Sequence, residues 1–368
     1  MNYDYETLRI IYWGVLVLSI LGFVLCEGIN LGVGMLVYLL GKNTEVAKVA
    51  IASVAPTSLL QLAWLMAVIA VLFATWPIVY AVIFSCLPWL LLIMLLAWLP
   101  RPVGFLFRDA SDKAAWQNNW DKVLSVSSFL ITAILGVIAG NLLKGIPFHL
   151  DSDMRIFFLG DVWGLLNPFA LLVALINLTL LLFYAASFLQ LKVGEDISKH
   201  CQPWILKAGV AFMLLFALAG LWLMHLEGYH INSEIMTNAD SNPLHKFVKR
   251  SEGLWLDNYE HLPVLWLLPG LVFSSTIATL YFSAKRQLYY WAFIAASVAV
   301  TATVLTLAVS MFPFLLPSNR SLNSSLTLWD ASASFNTLTT LLGVVVCALP
   351  IMALTSRFAF SQPSKTSE

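Results

Sequence analysis

Residues 49–100 read VAIASVAPTSLLQLAWLMAVIAVLFATWPIVYAVIFSCLPWLLLIMLLAWLP and carry no charged side chain. A helix needs about 20 mostly apolar residues to cross the roughly 30 Å of hydrocarbon in a bilayer. The stretch is therefore long enough for two membrane-spanning helices. Proline cannot donate a hydrogen bond to a continuing helix, so Trp76-Pro77 predicts the break between them.

Other apolar windows on either side predict seven further spans. They are Ile10–Leu40, interrupted only by Glu27, then Val123–Leu143, Val162–Leu191, Ala208–Leu226, Leu262–Ala284, Gln287–Leu316 and Ala331–Ser356. A cleavable signal peptide begins with basic residues, whereas this chain has Asp4 and Glu6 there. We therefore expect the first helix to remain as a membrane span. The sequence thus predicts an all-α protein of nine transmembrane helices, with one domain over 1–360 and a short polar tail over 361–368.

The composition supports a membrane protein and excludes several other classes. Hydrophobic residues make up 60% of the chain and charged residues only 11%, whereas soluble proteins carry about 25% charged residues. Twenty basic residues balance twenty acidic ones, so no basic face for nucleic acid is indicated. The sequence also contains no Walker loop, GxGxxG fingerprint or HExxH motif.

Two polar residues late in the first predicted helix are candidates for function. Ionisable groups at membrane depth are expensive and are often functional, and Glu27 is the one such group that stands out. Asn30 follows about one turn later on the same helix face. These residues predict either a proton path or a polar contact between subunits. Asp330, just before the last span, is typical of a carboxylate that caps a helix N-terminus.

The histidines argue against a haem bound by this chain alone. An intramembrane haem needs an axial ligand such as histidine at membrane depth. All six histidines lie at or beyond the ends of the predicted spans. They are His149, His200, His225, His230, His245 and His261. We therefore expect the chain to carry no haem and no metal of its own.

An ordered series of motifs along the chain resembles the cytochrome bd oxidase subunit II family. The series comprises Asp4-Tyr5-Glu6, Leu8-Arg9, Glu27-Gly28, Gly32-Val33-Gly34-Met35, Ala55-Pro56, Trp64, Trp76-Pro77, Tyr80, Arg101-Pro102-Val103-Gly104-Phe105, Trp116, Trp120-Asp121, Gly140-Asn141-Leu142-Leu143, Leu166-Asn167-Pro168-Phe169, Ala219-Gly220, Gly228-Tyr229, Asn242-Pro243-Leu244, Met311-Phe312-Pro313, Pro317-Ser318 and Trp329-Asp330-Ala331. The order of these motifs, rather than any single one, carries the resemblance.

The resemblance implies a subunit of a terminal oxidase in the bacterial inner membrane, which oxidises quinol and reduces oxygen to water. It implies a haem-bearing subunit I as partner, holding haems b and d, and allows small single-helix subunits as further partners. It also makes Arg101 a candidate polar residue of a proton path or subunit contact, together with Glu27, Asn30 and Asp330.

The chain departs from the family pattern after Ala55-Pro56. The family usually has a polar run there, whereas this chain reads Thr57-Ser58-Leu59-Leu60-Gln61-Leu62, with Leu59 at the usual aspartate position. Several polar positions are replaced together, which would close a polar path without stranding unpaired groups. We therefore predict a dry, packed helix interface around Leu59.

Two other functions fit parts of the sequence. The Pro-interrupted segments Asn167-Pro168 and Met311-Phe312-Pro313 are either simple kinks or ligand-lining breaks of a secondary transporter. A transporter usually places several polar groups at the membrane midplane, and this chain offers only Glu27. A diverged paralogue retained for assembly or regulation is the other alternative.

The distribution of basic residues predicts the orientation. Seven of the twenty lysines and arginines fall on the side of the N-terminus and thirteen on the opposite side. Because cytoplasmic loops are enriched in basic residues, the N-terminus is expected outside and the C-terminus in the cytoplasm. Reporter fusions at Lys113 and Lys246 should report cytoplasm and exterior respectively, and the reverse pattern would contradict this orientation.

Overall fold

Thirteen α-helices account for most of the described chain. The computed structural model describes residues 4–40, 44–54, 58–193, 195–234 and 236–361, without the side chains at 44–46, 58–61, 195–197 and 359–361. The helices are α1 Tyr5–Leu39, α2 Thr44–Val54, α3 Ser58–Thr75, α4 Pro77–Cys86, α5 Pro88–Trp98, α6 Pro100–Phe107, α7 Ala114–Lys144, α8 Pro168–Lys192, α9 Glu195–Leu223, α10 Asp257–His261, α11 Leu267–Ser283, α12 Tyr289–Met311 and α13 Phe335–Ser361. The predicted polar tail lies outside the described residues from 362 onward.

The prediction of a polytopic helical membrane protein is confirmed. Within the described ranges, eight helical segments are long and apolar enough to cross a bilayer. The segments Leu62–Thr75 and Pro77–Cys86 meet at a bend of 117° and give a ninth crossing if they are counted as one broken span. Long apolar helices are the expected outcome, since helices satisfy their own backbone groups where no water is present.

The predicted break at Trp76-Pro77 is present, but the division of residues 49–100 is more complex than two helices. A second break precedes Pro88, and the following candidate span runs from Pro88 to Ala110. Both breaks place proline in the first turn of the next helix, where its missing N–H is not needed. Trp76 is fully buried at the bend.

Other predicted spans also have wrong limits, because an apolar window does not distinguish a helix from an adjoining 3-10 turn or strand. The helix predicted from Val162 begins at Pro168, where Asn167 caps it by accepting the Ala170 N–H at 3.0 Å. Asn167-Pro168 is therefore a helix start rather than a kink. The helix predicted to reach Leu316 ends at Met311, and a cis Phe312-Pro313 bond follows it.

Small antiparallel sheets lie in the connections between the helices, a feature that the all-α prediction did not include. They pair β1 Phe148–Leu150 with β2 Ile156–Phe158, β3 Glu227–Ile231 with β4 Val248–Glu252, and β5 Phe314–Leu316 with β6 Leu326–Thr327. The sheets join one another: the Leu150 N–H donates to Ser324 Oγ at 3.1 Å, and the Val248 N–H donates to Asn323 Oδ1 at 3.1 Å. The connections thus form a continuous cap on one end of the bundle.

This capped end is the end at which α1 begins, and we call it the N-terminal face. The Tyr5 hydroxyl donates to the Ala333 carbonyl at 2.6 Å, just before α13. Near the other end of α13, Ser356 Oγ accepts from Trp64 Nε1 at 2.9 Å. Helix α13 therefore runs from the N-terminal face to the opposite end of the bundle, so the two ends of the described chain lie at opposite faces.

Glycines bring the central helices close together. A Cβ on Gly136 or Gly140 of α7 would overlap the backbone of Ala174 or Ala170 of α8, and one on Gly32 of α1 would overlap the Leu181 carbonyl of α8. Small residues at such contacts are typical of membrane bundles, where packing rather than water expulsion drives association. The close approach of α1, α7 and α8 places α1 residues deep inside the bundle.

Candidate functional site

The centre of the candidate site is an ion pair between Glu27 and Arg101. Arg101 Nη1 donates to Glu27 Oε1, and the two side chains are 2% and 0% exposed. Glu27 belongs to α1 and Arg101 to α6, so the pair ties two helices far apart in sequence. Glu27 Oε2, Arg101 Nε and Arg101 Nη2 find no hydrogen-bond partner among the described residues. The pair is therefore buried within this chain, and three of its polar atoms are left without a partner among the described residues.

Arg101 does not begin a loop, although the charge-free stretch that we interpret as two spans ends at Pro100. It lies in the first turn of α6, inside the candidate span Pro88–Ala110. An arginine is tolerated at this depth when a carboxylate neutralises it, and Glu27 provides that carboxylate. Sequence reasoning identified both residues but not their pairing, because they are far apart along the chain.

Asn30 lies one turn after Glu27, as predicted from the helical spacing. Its side-chain amide donates to the Cys26 carbonyl at 3.2 Å, a contact within α1. Asn30 is completely buried. The side chain of Leu59, where we predict a dry interface, lies outside the described part of the structure.

A second arginine pair follows Arg101 two turns later. Arg108 is 1% exposed, and its Nε and Nη2 donate to the two carboxylate oxygens of Asp121 at 2.6 and 3.1 Å. This bidentate geometry gives two charge-assisted hydrogen bonds, which are among the strong hydrogen bonds in proteins. It fixes the end of α6 against α7 and so orients the helix that carries Arg101.

The sequence suggested that Asp330 caps a helix, but the structure shows that it does not. Helix α13 begins at Phe335, whereas Asp330 Oδ1 accepts the Thr327 N–H at 3.1 Å and Oδ2 lies 2.9 Å from Lys246 Nζ. Burial raises the pKa of the Asp330 carboxyl despite the attraction of Lys246. Burial likewise lowers the pKa of the Lys246 amine. The pair of Asp330 and Lys246 thus lies in a poorly hydrated place on the N-terminal face. Glu27 lies late in α1, inside the bundle.

Arg9 is a buried residue that the sequence analysis included in the motif series, as Leu8-Arg9, without giving it a role. Its Nε donates to Ser332 Oγ at 2.8 Å and its Nη2 to the Ala239 carbonyl at 3.0 Å, while the guanidinium carbon lies 3.6 Å from the centroid of the Tyr5 ring. Tyr5 and Arg9 are four residues apart, a spacing that places them on one helix face. The four-residue spacing was the signal in the sequence from which the contact between Tyr5 and Arg9 could have been predicted.

The polar candidates therefore form two separate groups. Glu27, Asn30 and Arg101 lie within the bundle, whereas Asp330 lies on the N-terminal face with Lys246. Among the described residues, no three His, Cys, Asp or Glu side chains converge as metal ligands do. The Glu27–Arg101 site can neutralise charge and hold helices together.

Comparison with known proteins identifies the family. The profile of the family described as cytochrome bd terminal oxidase subunit II matches residues 8–361. The chain is 35% identical over 358 residues to cytochrome bd-I ubiquinol oxidase subunit 2 of Escherichia coli (strain K12), covering 97% of this chain and 94% of that protein. It is 34% identical over 359 residues to a probable cytochrome oxidase subunit 2 of Haemophilus influenzae, covering 98% and 95%.

A solved structure shows the same fold. A chain in the structure of the bd oxidase from Geobacillus thermodenitrificans matches with a TM-score of 0.69 at 12% sequence identity, covering 98% of each chain. At that identity the likeness establishes the architecture alone. The family match over nearly the whole chain, however, confirms the resemblance drawn from the motif series. The chain belongs to the cytochrome bd terminal oxidase subunit II family.

Proposed function

We propose that this chain is the haem-free second subunit of a bd-type quinol oxidase in the bacterial inner membrane. It assembles with a haem-bearing subunit I, and the complex oxidises quinol and reduces oxygen to water. The observation that carries this proposal is the family match over residues 8–361. The named relatives, a ubiquinol oxidase subunit among them, are matched over more than nine-tenths of their own length.

The positions of the histidines support placing haems b and d in the partner. An axial ligand has to project into the interior of the bundle at membrane depth. The histidines instead lie near helix ends or in connections: His149 in β1, His200 near the start of α9, His225 after α9, His230 in β3, His245 before β4 and His261 at the end of α10. We infer that this subunit supports and stabilises the haem-bearing one.

We further infer that Glu27 and Arg101 form a structural lock rather than a step in a proton path. The pairing supports this inference, because the carboxylate of Glu27 is engaged by the Arg101 guanidinium and both side chains are buried between helices. Glu27 thus supplies the countercharge that makes an arginine tolerable at this depth. On this account, protons reach the oxygen site through the partner subunit, and the loss of the family aspartate at Leu59 is tolerated.

Purification of the tagged chain from its native membrane tests the proposed function. We expect a second polytopic chain to co-purify, with a haem signal in the reduced-minus-oxidised spectrum and quinol-driven oxygen consumption. The chain expressed alone should show no stoichiometric haem signal. Purification without a haem-bearing partner would contradict the proposal, and a haem-bearing but inactive complex would favour a diverged paralogue.

Glu27→Gln in the assembled complex tests the lock. We expect the variant to be less stable, because Arg101 keeps a buried charge without a countercharge, but to turn over quinol at the normal rate per haem. Loss of a proton-transferring group typically costs about 100-fold or more in rate. A fall of that size at normal haem content would contradict the lock, and the double variant E27Q/R101Q, which removes the stranded charge, should still turn over normally.

A further inference from the structure

A cavity of about 300 Å³ opens on the N-terminal face, away from Glu27 and Arg101. It lies where α7 ends and α8 begins, beside strand β4 and the segment after β5. Polar and basic residues dominate its lining: Asn141, Lys144, Asn167, Arg250, Asn319 and Arg320. None of these residues has a role in the function proposed above, so the cavity needs its own explanation.

The charge of the cavity is positive. Three of its lining residues are basic, and Asp161 is the one acidic residue among the described side chains that line it. Asp161 is engaged, since its Oδ1 accepts the Gly164 N–H at 3.0 Å. Arg250 is also engaged, through an ion pair of 3.1 Å with Glu227. Lys144 and Arg320, by contrast, form no ion pair with any residue described in the structure, so the lining keeps a net positive charge even with the Asp161 carboxylate counted.

Hydrogen bonds of buried and partly buried asparagines hold the walls of the cavity in place. Asn141 Nδ2 donates to the Leu165 carbonyl at 2.7 Å, and Asn167 Nδ2 donates to Asn141 Oδ1 at 3.0 Å. On the opposite wall, Asn319 Nδ2 donates to the Gly145 carbonyl at 2.8 Å, next to Lys144. The cavity is therefore a preformed feature of the cap and not a gap between mobile loops.

One wall atom is an acceptor that lacks a donor. Asn319 Oδ1 is buried and has no hydrogen-bond partner among the described residues. This oxygen has no exposed surface, so a ligand in the cavity does not reach it. The groups that the cavity offers to an anion are therefore the Lys144 and Arg320 side chains.

Exposed apolar residues border the cavity. Gly164 and Leu165 line it, and the flanking residues Trp163 and Leu166 are exposed, Trp163 by 79%. Tryptophan is enriched at the level of the lipid headgroups. A volume of about 300 Å³ is at the lower end for ligand sites, which suits a headgroup whose acyl chains remain outside in the bilayer.

We propose that this cavity binds a phosphate group, with Lys144 and Arg320 contacting the phosphate oxygens. An anionic phospholipid such as phosphatidylglycerol and a soluble phosphate both offer phosphate oxygens. Basic side chains recognise phosphate oxygens through charge-assisted hydrogen bonds. The border of exposed apolar residues favours the lipid as the source.

The test uses the delipidated complex of both subunits in neutral detergent, with thermal stability measured against added ligand. The probes are phosphatidylglycerol, phosphatidylcholine and inorganic phosphate. Phosphatidylglycerol should raise the unfolding temperature in a saturable manner, and phosphatidylcholine should not. An equal effect of inorganic phosphate at equal concentration would identify a soluble phosphate as the source.

Variants decide whether this cavity is the site. In K144Q/R320Q the half-saturating concentration of phosphatidylglycerol should rise by about tenfold or more, since contacts between basic groups and phosphate are charge-assisted hydrogen bonds. The matched control R155Q/K249Q removes two exposed charges of the same face that do not line the cavity, and should bind as the unmodified complex does. No saturable effect of any phosphate probe, or an equal loss in the control, would overturn the proposal.

Discussion

The burial of a charge inside a membrane-embedded bundle is the constraint on which the structure around α1 depends. An unpaired ionised group at that depth is unfavourable, and here Glu27 of α1 and Arg101 of α6 neutralise each other as an ion pair. Close packing beside the pair is assisted by Gly104 of α6, where a Cβ would overlap the Leu124 side chain of α7. The pair of Arg108 with Asp121 then fixes α6 against α7. Charge neutralisation and close packing therefore support each other.

A different constraint acts on the N-terminal face, where irregular backbone lies next to the membrane. Segments outside helices have to find partners for their N–H and C=O groups, and here the small sheets and buried side chains provide them. Arg9 donates to Ser332 and to the Ala239 carbonyl, and Lys246 pairs with Asp330. These contacts join the start of α1 to the segment before α13. The cap therefore links the first and last spans, which are the most distant in sequence.

Hydropathy was sufficient to predict the helical membrane architecture and the break at Trp76-Pro77, because long charge-free windows and proline have direct structural consequences. It did not predict that a helix ends at Met311, since the strand segment after it is as apolar as the span, or that the last helix begins at Phe335, since residues 331–334 carry no charge. Sequence also identified Glu27, Arg101 and Asp330 as polar candidates. Their partners depend on tertiary packing: Arg101 is a neighbour of Glu27, and Lys246 of Asp330, only once the helices and the cap are assembled.

The central claim is that Glu27 and Arg101 stabilise the bundle as a pair. A double-mutant cycle tests it most directly, with unfolding of the purified complex measured for E27Q, R101Q and E27Q/R101Q. Each single variant leaves one buried charge unpaired and should lose about 3–5 kcal/mol of stability. The double variant should lose clearly less than the two single losses combined, because it leaves no stranded charge. Strictly additive losses would show that the two residues act independently and would contradict the account.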